Sequence, residues 1–405
     1  MPQKDLKKRR VLVSAGDLSG DLLLAQVIEA LKKIYSDRIE FVGLCGPDSK
    51  KAGVKQLVSS NSVAVVGIVE VLSALPNILK AQKILWDELP QVDSVLCVDF
   101  PDFNFILSDK AYKNKIPVDY IVAPQVWAWR SGRMKKMKKW VRRLYPNLGF
   151  EQELFREAGI DARFKGHPLR DTLKPKNRKA TRAIFKLAED DFTLLLMPGS
   201  RGGELKNHLE LMIEAWEDYK VKLKSRWPQR KLKAILATTE KWNLEKIQSL
   251  VKSPSLGKKL EKYLSSGEWM HSQNSHHAMM ASDFGWICSG TATLEAAYYQ
   301  LPHVLVYRLS PISVWVLKRL SSYVLDDKAF AGLPNIILGR EVIPELLQEK
   351  LTPQRLALES FEILDFAPRL THMKRELKWI PKKMGDVGAA TRIAEDLSAL
   401  WESQG

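Results

Sequence analysis

Leu196-Met197-Pro198-Gly199-Ser200-Arg201-Gly202-Gly203-Glu204 closes one apolar run and opens a polar, helix-like one. Farther along, Cys288-Ser289-Gly290-Thr291-Ala292-Thr293-Leu294-Glu295 makes the same passage. Small residues at a strand-to-helix junction let backbone N–H groups come close to a ligand, and a helix N-terminus favours negative charge there. Either junction alone reads better as an ordinary turn in which Gly supplies a positive φ. Arg201 in the first and Glu295 in the second turn the pair toward an anionic ligand, a diphosphate at the mouth of an α/β sheet.

Working outward, short apolar runs alternate with helical segments, the pattern of a parallel sheet. Val11 to Ala15 reads as a buried strand, Gly16-Asp17-Leu18-Ser19-Gly20-Asp21 as a turn, and Leu23, Val27, Leu31 and Ile34 as one helical face. Ser19 is the expected N-cap of that helix. The turn is not G-x-G-x-x-G, so a nicotinamide cofactor is poorly indicated. Further strands are expected at Phe41 to Leu44, Ser94 to Val98, Val118 to Val122, and Arg163 to Phe164 ahead of Gly166-His167-Pro168. The charged stretch Arg170 to Arg182 reads as a linker. A second series follows at Thr193 to Met197, Lys233 to Ala237, Phe284 to Cys288 and His303 to Tyr307. The chain is therefore α/β, with two Rossmann-like parallel-sheet domains, 1–172 and 173–369, facing a cleft. A helical segment over 370–405 is free to pack back on the first domain. Ligands of such sheets bind beyond the C-terminal strand ends.

Composition bounds the function. A chain of 405 residues with 27% charged residues suits two globular domains, not disorder. Its 63 Lys and Arg against 47 Asp and Glu imply anionic partners: nucleic acid, acidic lipid or a phosphorylated substrate. Cys45, Cys97 and Cys288 sit in strand-like runs without a CxxC pair, as buried free thiols in a reducing compartment would. Met1 to Arg10 lacks the apolar core of a signal peptide. The longest apolar stretch, Val63 to Leu79, is interrupted by Glu70 and Pro76, so no bilayer span is expected.

Asp99, in Cys97-Val98-Asp99-Phe100-Pro101-Asp102-Phe103-Asn104, falls at a strand end and is a candidate general base; Asp102 reads better as a cap. Trp127 and Arg130, in Ala123-Pro124-Gln125-Val126-Trp127-Ala128-Trp129-Arg130, suit a sugar or base and a phosphate, with core packing an even alternative. Arg201 is the strongest phosphate ligand. Glu295, four residues beyond Thr291, is placed to accept ribose hydroxyls. Asn335, in Leu333-Pro334-Asn335, either bonds a sugar or closes a turn. His276-His277 reads as part of a polar loop with no carboxylate or Cys spaced to complete a metal site, and no metal is assigned. Arg133 to Arg143 and Val314 to Leu320 mix basic and apolar residues, and Val63 to Leu79 is apolar. Together they suit the interface of an anionic membrane, although any one charge run is more simply a solvated helix face.

At this point the chain resembles the lipid-A-disaccharide synthase family. The resemblance runs from about Val11 to Leu351. It is carried by Gly16-Asp17-Leu18-Ser19-Gly20-Asp21, Gly67-Ile68-Val69-Glu70-Val71-Leu72, Asp99-Phe100-Pro101-Asp102-Phe103-Asn104, Val126-Trp127-Ala128-Trp129-Arg130, Pro198-Gly199-Ser200-Arg201-Gly202, Ser289-Gly290-Thr291-Ala292 with Glu295, and Leu333-Pro334-Asn335. Their joint order and spacing are specific.

The resemblance implies a GT-B glycosyltransferase without a cofactor. Such an enzyme joins UDP-2,3-diacylglucosamine to 2,3-diacylglucosamine 1-phosphate, giving the β-1′,6 disaccharide of lipid A and UDP, at the inner face of the inner membrane. It implies Asp99 as the essential aspartate and Arg201 and Asn335 as the important arginine and asparagine. UDP is then expected at Ser200, Arg201, Ser289, Gly290, Thr291, Glu295 and Asn335. The sugars are expected near Asp17, Ser19, Gly20, Trp127 and Arg130, and the anionic membrane surface at Val66, Ile68, Val69, Val71, Leu72 and Leu75. A homodimer is compatible with the sequence, and nucleic acid is not an expected partner. The chain departs from the family pattern at Asp17, at Ala123-Pro124-Gln125, at Leu148-Gly149-Phe150-Glu151 and in the length of Asp326 to Gly332. The rival readings are another GT-B enzyme of UDP-sugars, an epimerase or a soluble glycosyltransferase, and a basic nucleic-acid-binding module.

Overall fold

The computed structural model describes residues 8–63, 68–122, 132–175, 177–308 and 330–403, of which 68–74 are described in backbone only. The chain divides into two compact units, Met1–Thr172 with Met384–Gly405, and Leu173–Lys383.

In the first unit six parallel strands run in the order β3-β2-β1-β4-β5-β6. They are β1 Arg9–Ala15, β2 Ile39–Cys45, β3 Val54–Ser59, β4 Ser94–Val98, β5 Val118–Ile121 and β6 Val141–Tyr145. Side chains alternate across a strand, and the two cores show it. Leu12, Val95 and Cys97 pack on one face with Leu85, Phe103, Leu107 and Met137. Val11, Val13, Leu96 and Val98 pack on the other with Leu23, Val27, Leu31, Ile393, Leu397 and Trp401. Both faces are covered, so the central strands β1 and β4 carry apolar residues on both faces. The helices used below are α1 Leu18–Tyr35, α2 Ile68–Glu88, α3 Pro101–Lys113 and α4 Gly132–Trp140.

Asp17, not Ser19, caps α1: its carboxylate accepts from Gly20 N–H at 2.8 Å, and the Ser19 hydroxyl, inside the helix, donates to Asp17 at 3.0 Å. Arg163 to Phe164 is no strand. Only a single bridge, Leu144 to Ala162, forms there, and the Phe164 N–H turns to the Gln152 side chain at 2.8 Å. The basic run Arg133 to Arg143 divides into α4 and β6. Lys135, Lys136, Lys138 and Lys139 are exposed on the helix, whereas Arg143 is buried among Asp161 and Asp396, and Arg142 pairs with the buried Asp119. β3 and β6 escaped the reading because their polar residues mask the strand pattern.

In the second unit the order is β12-β11-β10-β7-β8-β9, again all parallel. The strands are β7 Phe192–Met197, β8 Leu232–Ala237, β9 Trp269–Ser272, β10 Phe284–Cys288, β11 His303–Tyr307 and β12 Glu345–Leu347. The helices needed are α5 Gly202–Arg226, α6 Ser275–Ala281 and α7 Thr291–Tyr298. His276 and His277 thus lie on a helix and not in a loop. The latter part of the expected linker is also structured. Asn177 caps helix Arg178–Ile184, and the Arg182 guanidinium, buried, donates to the carbonyls of Ala281 and Asp191 at 2.9 Å each.

The helices Ala367–Leu377 and Ile380–Lys383 stay with the second unit, and helix Ala389–Ser403 joins the first. In both sheets the strand order reverses once, between β1 and β4 and between β7 and β10. Open α/β sheets take ligands at such switch points.

Candidate active site

The first cluster lies where β1 and β4 end side by side, with Ala15 registered against Val98. Asp99 follows β4 directly, and Asp17 follows β1 after Gly16. Asp99 and Phe100 are both left-handed, with φ of 45° and 50°, and Pro101 then begins α3. Two consecutive non-glycine residues there cost about 1–3 kcal/mol each, so surrounding contacts must hold them. Asn104, fully buried, donates to the Asp99 carbonyl at 2.7 Å and accepts from the Ser14 hydroxyl at 2.6 Å. The Tyr120 hydroxyl donates to the same Asp99 carbonyl at 2.6 Å. Gly16 has no alternative: a Cβ there would stand 2.3 Å from the Phe100 ring. Burial, then the neighbouring Asp17 carboxylate, pushes the Asp99 carboxyl up to about 6, against a lowering from the Phe100 N–H. A carboxylate so placed suits proton abstraction near neutrality. Asp102 is not a cap. Phe100 holds that position, and Asp102, exposed in the first turn of α3, pairs with Arg133.

The second cluster lies where β7 and β10 end side by side, Met197 registered against Ile287. Adjacent strands are about 5 Å apart, so the two glycine-bearing turns are neighbours. Gly199 has φ 129° and Gly290 φ 148°, conformations that side chains resist. A Cβ at Gly203 or Gly290 would meet nothing within 4 Å, so both helix starts, of α5 and α7, have room above them. Glu204 supplies charge to the first turn. One carboxylate oxygen accepts from Ser200 N–H at 2.8 Å and Arg201 N–H at 3.2 Å, and the other pairs with the Arg201 guanidinium at 3.2 Å. Those two N–H groups are therefore engaged within the protein. Among the described residues the Arg201 side chain, 62% exposed, has this short-range pair as its ionic partner, which leaves it able to turn to a phosphate.

Sequence reasoning missed His208. It is buried, contacts the Pro198 carbonyl through Nδ1 at 2.8 Å and accepts the Arg308 N–H on Nε2 at 2.9 Å. Those partners require the neutral ring with its proton on Nδ1, and burial holds its pKa below the usual value. It ties the end of β7 to the end of β11. Glu295 faces His276 on α6 at 3.4 Å, a partner the helical spacing alone did not reveal.

Asn335 is placed differently from the expectation of a ligand group. It is buried, donates to Ile343 O at 2.7 Å and to the Glu345 carboxylate at 2.8 Å, and accepts from Val342 and Ile343 N–H. Its amide is fully used in holding its own loop. Glu345 in turn receives the N–H groups of Ala331 and Gly332, and the Ser289 hydroxyl reaches the Ala331 carbonyl at 3.5 Å. Asn335 thus reaches the second turn through Glu345 and the backbone.

Trp127, Arg130, Val66 and the stretch Val314 to Leu320 lie outside the described residues. Ile68, Val69, Val71 and Leu72 belong to α2, but their side chains lie outside the described ones too. Leu75 and Leu79 are exposed on that helix. Lys110 lies over Trp86, Lys136 over Trp140 and Lys139 over Tyr112, all within 6 Å of the ring centroid. Cys45, Cys97 and Cys288 are buried free thiols, raised by burial to about 11, 12 and 12. Among the described residues no cluster of three metal-ligating side chains forms, and no described helix is long and apolar enough to cross a membrane.

Residues 11–379 match the family model described as lipid-A-disaccharide synthetase. The lipid-A-disaccharide synthase of Myxococcus xanthus is 37% identical over 395 residues, 96% of this chain and 97% of that protein. The enzyme of that name from Syntrophus aciditrophicus is 36% identical over 96% of this chain and 97% of its own length. That from Pseudomonas putida is 35% identical over 86% and 87%. Among solved structures, UDP-GlcNAc 2-epimerase from Neisseria meningitidis, bound to UDP-GlcNAc, superposes with a TM-score of 0.59 at 16% identity, covering 96% of this chain and 99% of that one. The calicheamicin glycosyltransferase CalG4 follows at 0.51 and 12%, covering 97% and 98%. At these identities the structures speak to fold alone, and the fold is GT-B.

Proposed function

The chain belongs to the lipid-A-disaccharide synthase family of glycosyltransferases, and from that premise we propose how it acts on its substrates. The donor is UDP-2,3-diacylglucosamine and the acceptor 2,3-diacylglucosamine 1-phosphate. The UDP diphosphate lies over the two neighbouring turns of the second unit, against Arg201 and the α7 start at Gly290 and Thr291, with Ser200 and Ser289 alongside and Glu295 toward the ribose. The Asp99 carboxylate takes the proton of the acceptor 6-hydroxyl. That oxygen attacks the donor C1 from the face opposite UDP, the C1–O bond to the β-phosphate breaks, and UDP departs with the bonding pair. Configuration inverts. Arg201 and the α7 N-terminus stabilise the charge growing on UDP.

The observation that carries this reading is the pairing of β7 with β10, which brings the Arg201 turn and the Gly290 turn together at a switch point. The test is turnover: purified protein with both lipid substrates, scored for the disaccharide 1-phosphate and UDP. UDP-GlcNAc is offered in a parallel reaction, and failure to form the disaccharide, with UDP-GlcNAc consumed instead, would overturn it.

Both substrates are diacylated, so the enzyme must meet them at a bilayer. The exposed lysines of α4, the Leu75 and Leu79 side chains on α2 and the cation-capped aromatic rings beside them suit the anionic inner face of the inner membrane.

A further inference from the structure

The reading of Asp99 as the base leaves open what aims its carboxylate. We infer that Tyr120 and Asn104 are positioning residues, which hold the Asp99–Phe100 turn, and with it the base, in its working orientation.

The turn is over-determined from three sides. The Asp99 carbonyl accepts two hydrogen bonds, from Tyr120 on β5 and from Asn104 on α3. The Asp99 N–H donates to Ile121 O at 3.0 Å, and the Phe100 carbonyl accepts from Asn104 N–H at 3.0 Å. Asn104 also reaches the Ser14 and Val98 carbonyls at 3.3 Å, so one side-chain amide joins the ends of β1 and β4 to the turn. From the third side the Phe100 ring fills the space over Gly16. Tyr120 and Asn104 both bond the Asp99 carbonyl and so act through the backbone that carries the carboxylate. Burial keeps the Tyr120 hydroxyl protonated far above neutrality, so it remains a donor throughout the working range. A strand-to-helix connection needs none of this. Left-handed φ at two successive non-glycine residues is kept where geometry matters to function.

Tyr120→Phe removes one oxygen and leaves the Asp99 carbonyl its bond from Asn104, so the fold should persist. The expected result is a fall in kcat of about tenfold, since small misplacements of a catalytic group are costly, with the KM for the UDP-sugar within about twofold of wild type. The acid limb of kcat should also move to lower pH. The charged group that acts on the Asp99 carboxylate is Asp17 from the β1–α1 turn, while Cys97 on β4 and Arg133 on α4 act on the Tyr120 hydroxyl. None of them is altered, so a downward shift reports a turn that has relaxed and let water reach Asp99. Asp99→Asn is measured in parallel. Wild-type kcat and an unmoved limb in Tyr120→Phe, with Asp99→Asn inactive, would overturn the positioning role and leave the base intact. An active Asp99→Asn would remove the base reading and this inference with it. Should Tyr120→Phe melt early, kcat is compared at a temperature well below its unfolding transition, where circular dichroism shows the variant folded. The same fall in kcat is expected, and wild-type kcat there overturns the inference.

Discussion

Burial pushes the Asp99 carboxyl up to about 6, which has one consequence for rate and another for stability. A base works deprotonated, so turnover should fall as pH drops through about 6. Asp99→Asn should lower kcat by about 10²–10⁴-fold and leave UDP affinity near wild type. For stability the sign follows from the raised value. The folded state binds this proton more tightly than the unfolded chain, so the group favours folding below its ordinary range and opposes it above about 6. Asp99→Asn should therefore raise the melting temperature at pH 8, by on the order of 1–3 kcal/mol in stability, and give no gain at pH 4. A variant less stable at both pH values would contradict that placement. Arg201→Ala is a prediction of a different kind. Glu204 keeps its backbone donors, so the fold is spared, while UDP binding in calorimetry should weaken by about 2 kcal/mol; unchanged affinity would remove Arg201 from the phosphate. At this scale the positions of Asp99 and Arg201 were legible because each follows an apolar strand. The engagement of Asn335 was not, since its partners, Ile343 and Glu345, lie in a loop and a strand too short to recognise.

At the scale of elements, α4 shows how a charge run divides. Met137 anchors it in the core, and Lys135, Lys136, Lys138 and Lys139 face outward. Changing Lys135, Lys136 and Lys139 to Gln should cost about 1 kcal/mol each in affinity for anionic vesicles and change little with neutral ones, as flotation would show. Undiminished binding to anionic vesicles would take this helix out of the membrane surface. The neighbouring strand β6 was hidden in the same run. Val-Arg-Arg-Leu-Tyr reads as basic surface until Asp119, Asp161 and Asp396 are seen to neutralise its arginines. Pattern reading finds strands that are apolar on both faces, as β4 and β10 are, and overlooks those whose charge is answered from elsewhere in the chain.

The whole molecule supplies that answer from its far end. Helix Ala389–Ser403 brings Asp396, 11% exposed in its side chain, to Arg143 at 3.0 Å, Arg163 at 3.1 Å, Lys165 at 2.8 Å and the Tyr145 hydroxyl at 2.9 Å. Burial alone would raise the Asp396 pKa, but Lys165, Tyr145 and Arg143 outweigh it and leave it lowered. Trp401 on the same helix donates to Asp119 at 2.8 Å. Asp396→Ala should destabilise the protein by about 3 kcal/mol, because the buried Arg143 loses a carboxylate, and urea unfolding would show it; a wild-type midpoint would mean that Asp161 suffices. By itself the sequence determined the α/β class, the two sheet-bearing series and the strand ends at which we propose the chemistry. These follow from local hydrophobic period and small-residue turns, which act over a few residues. Only the tertiary structure decided which turns become neighbours, which charges are spent within the fold, and that the last helix completes the first unit. Those outcomes depend on strand order and on partners such as Asp119 and Trp401, 282 residues apart, and no local pattern encodes such pairings.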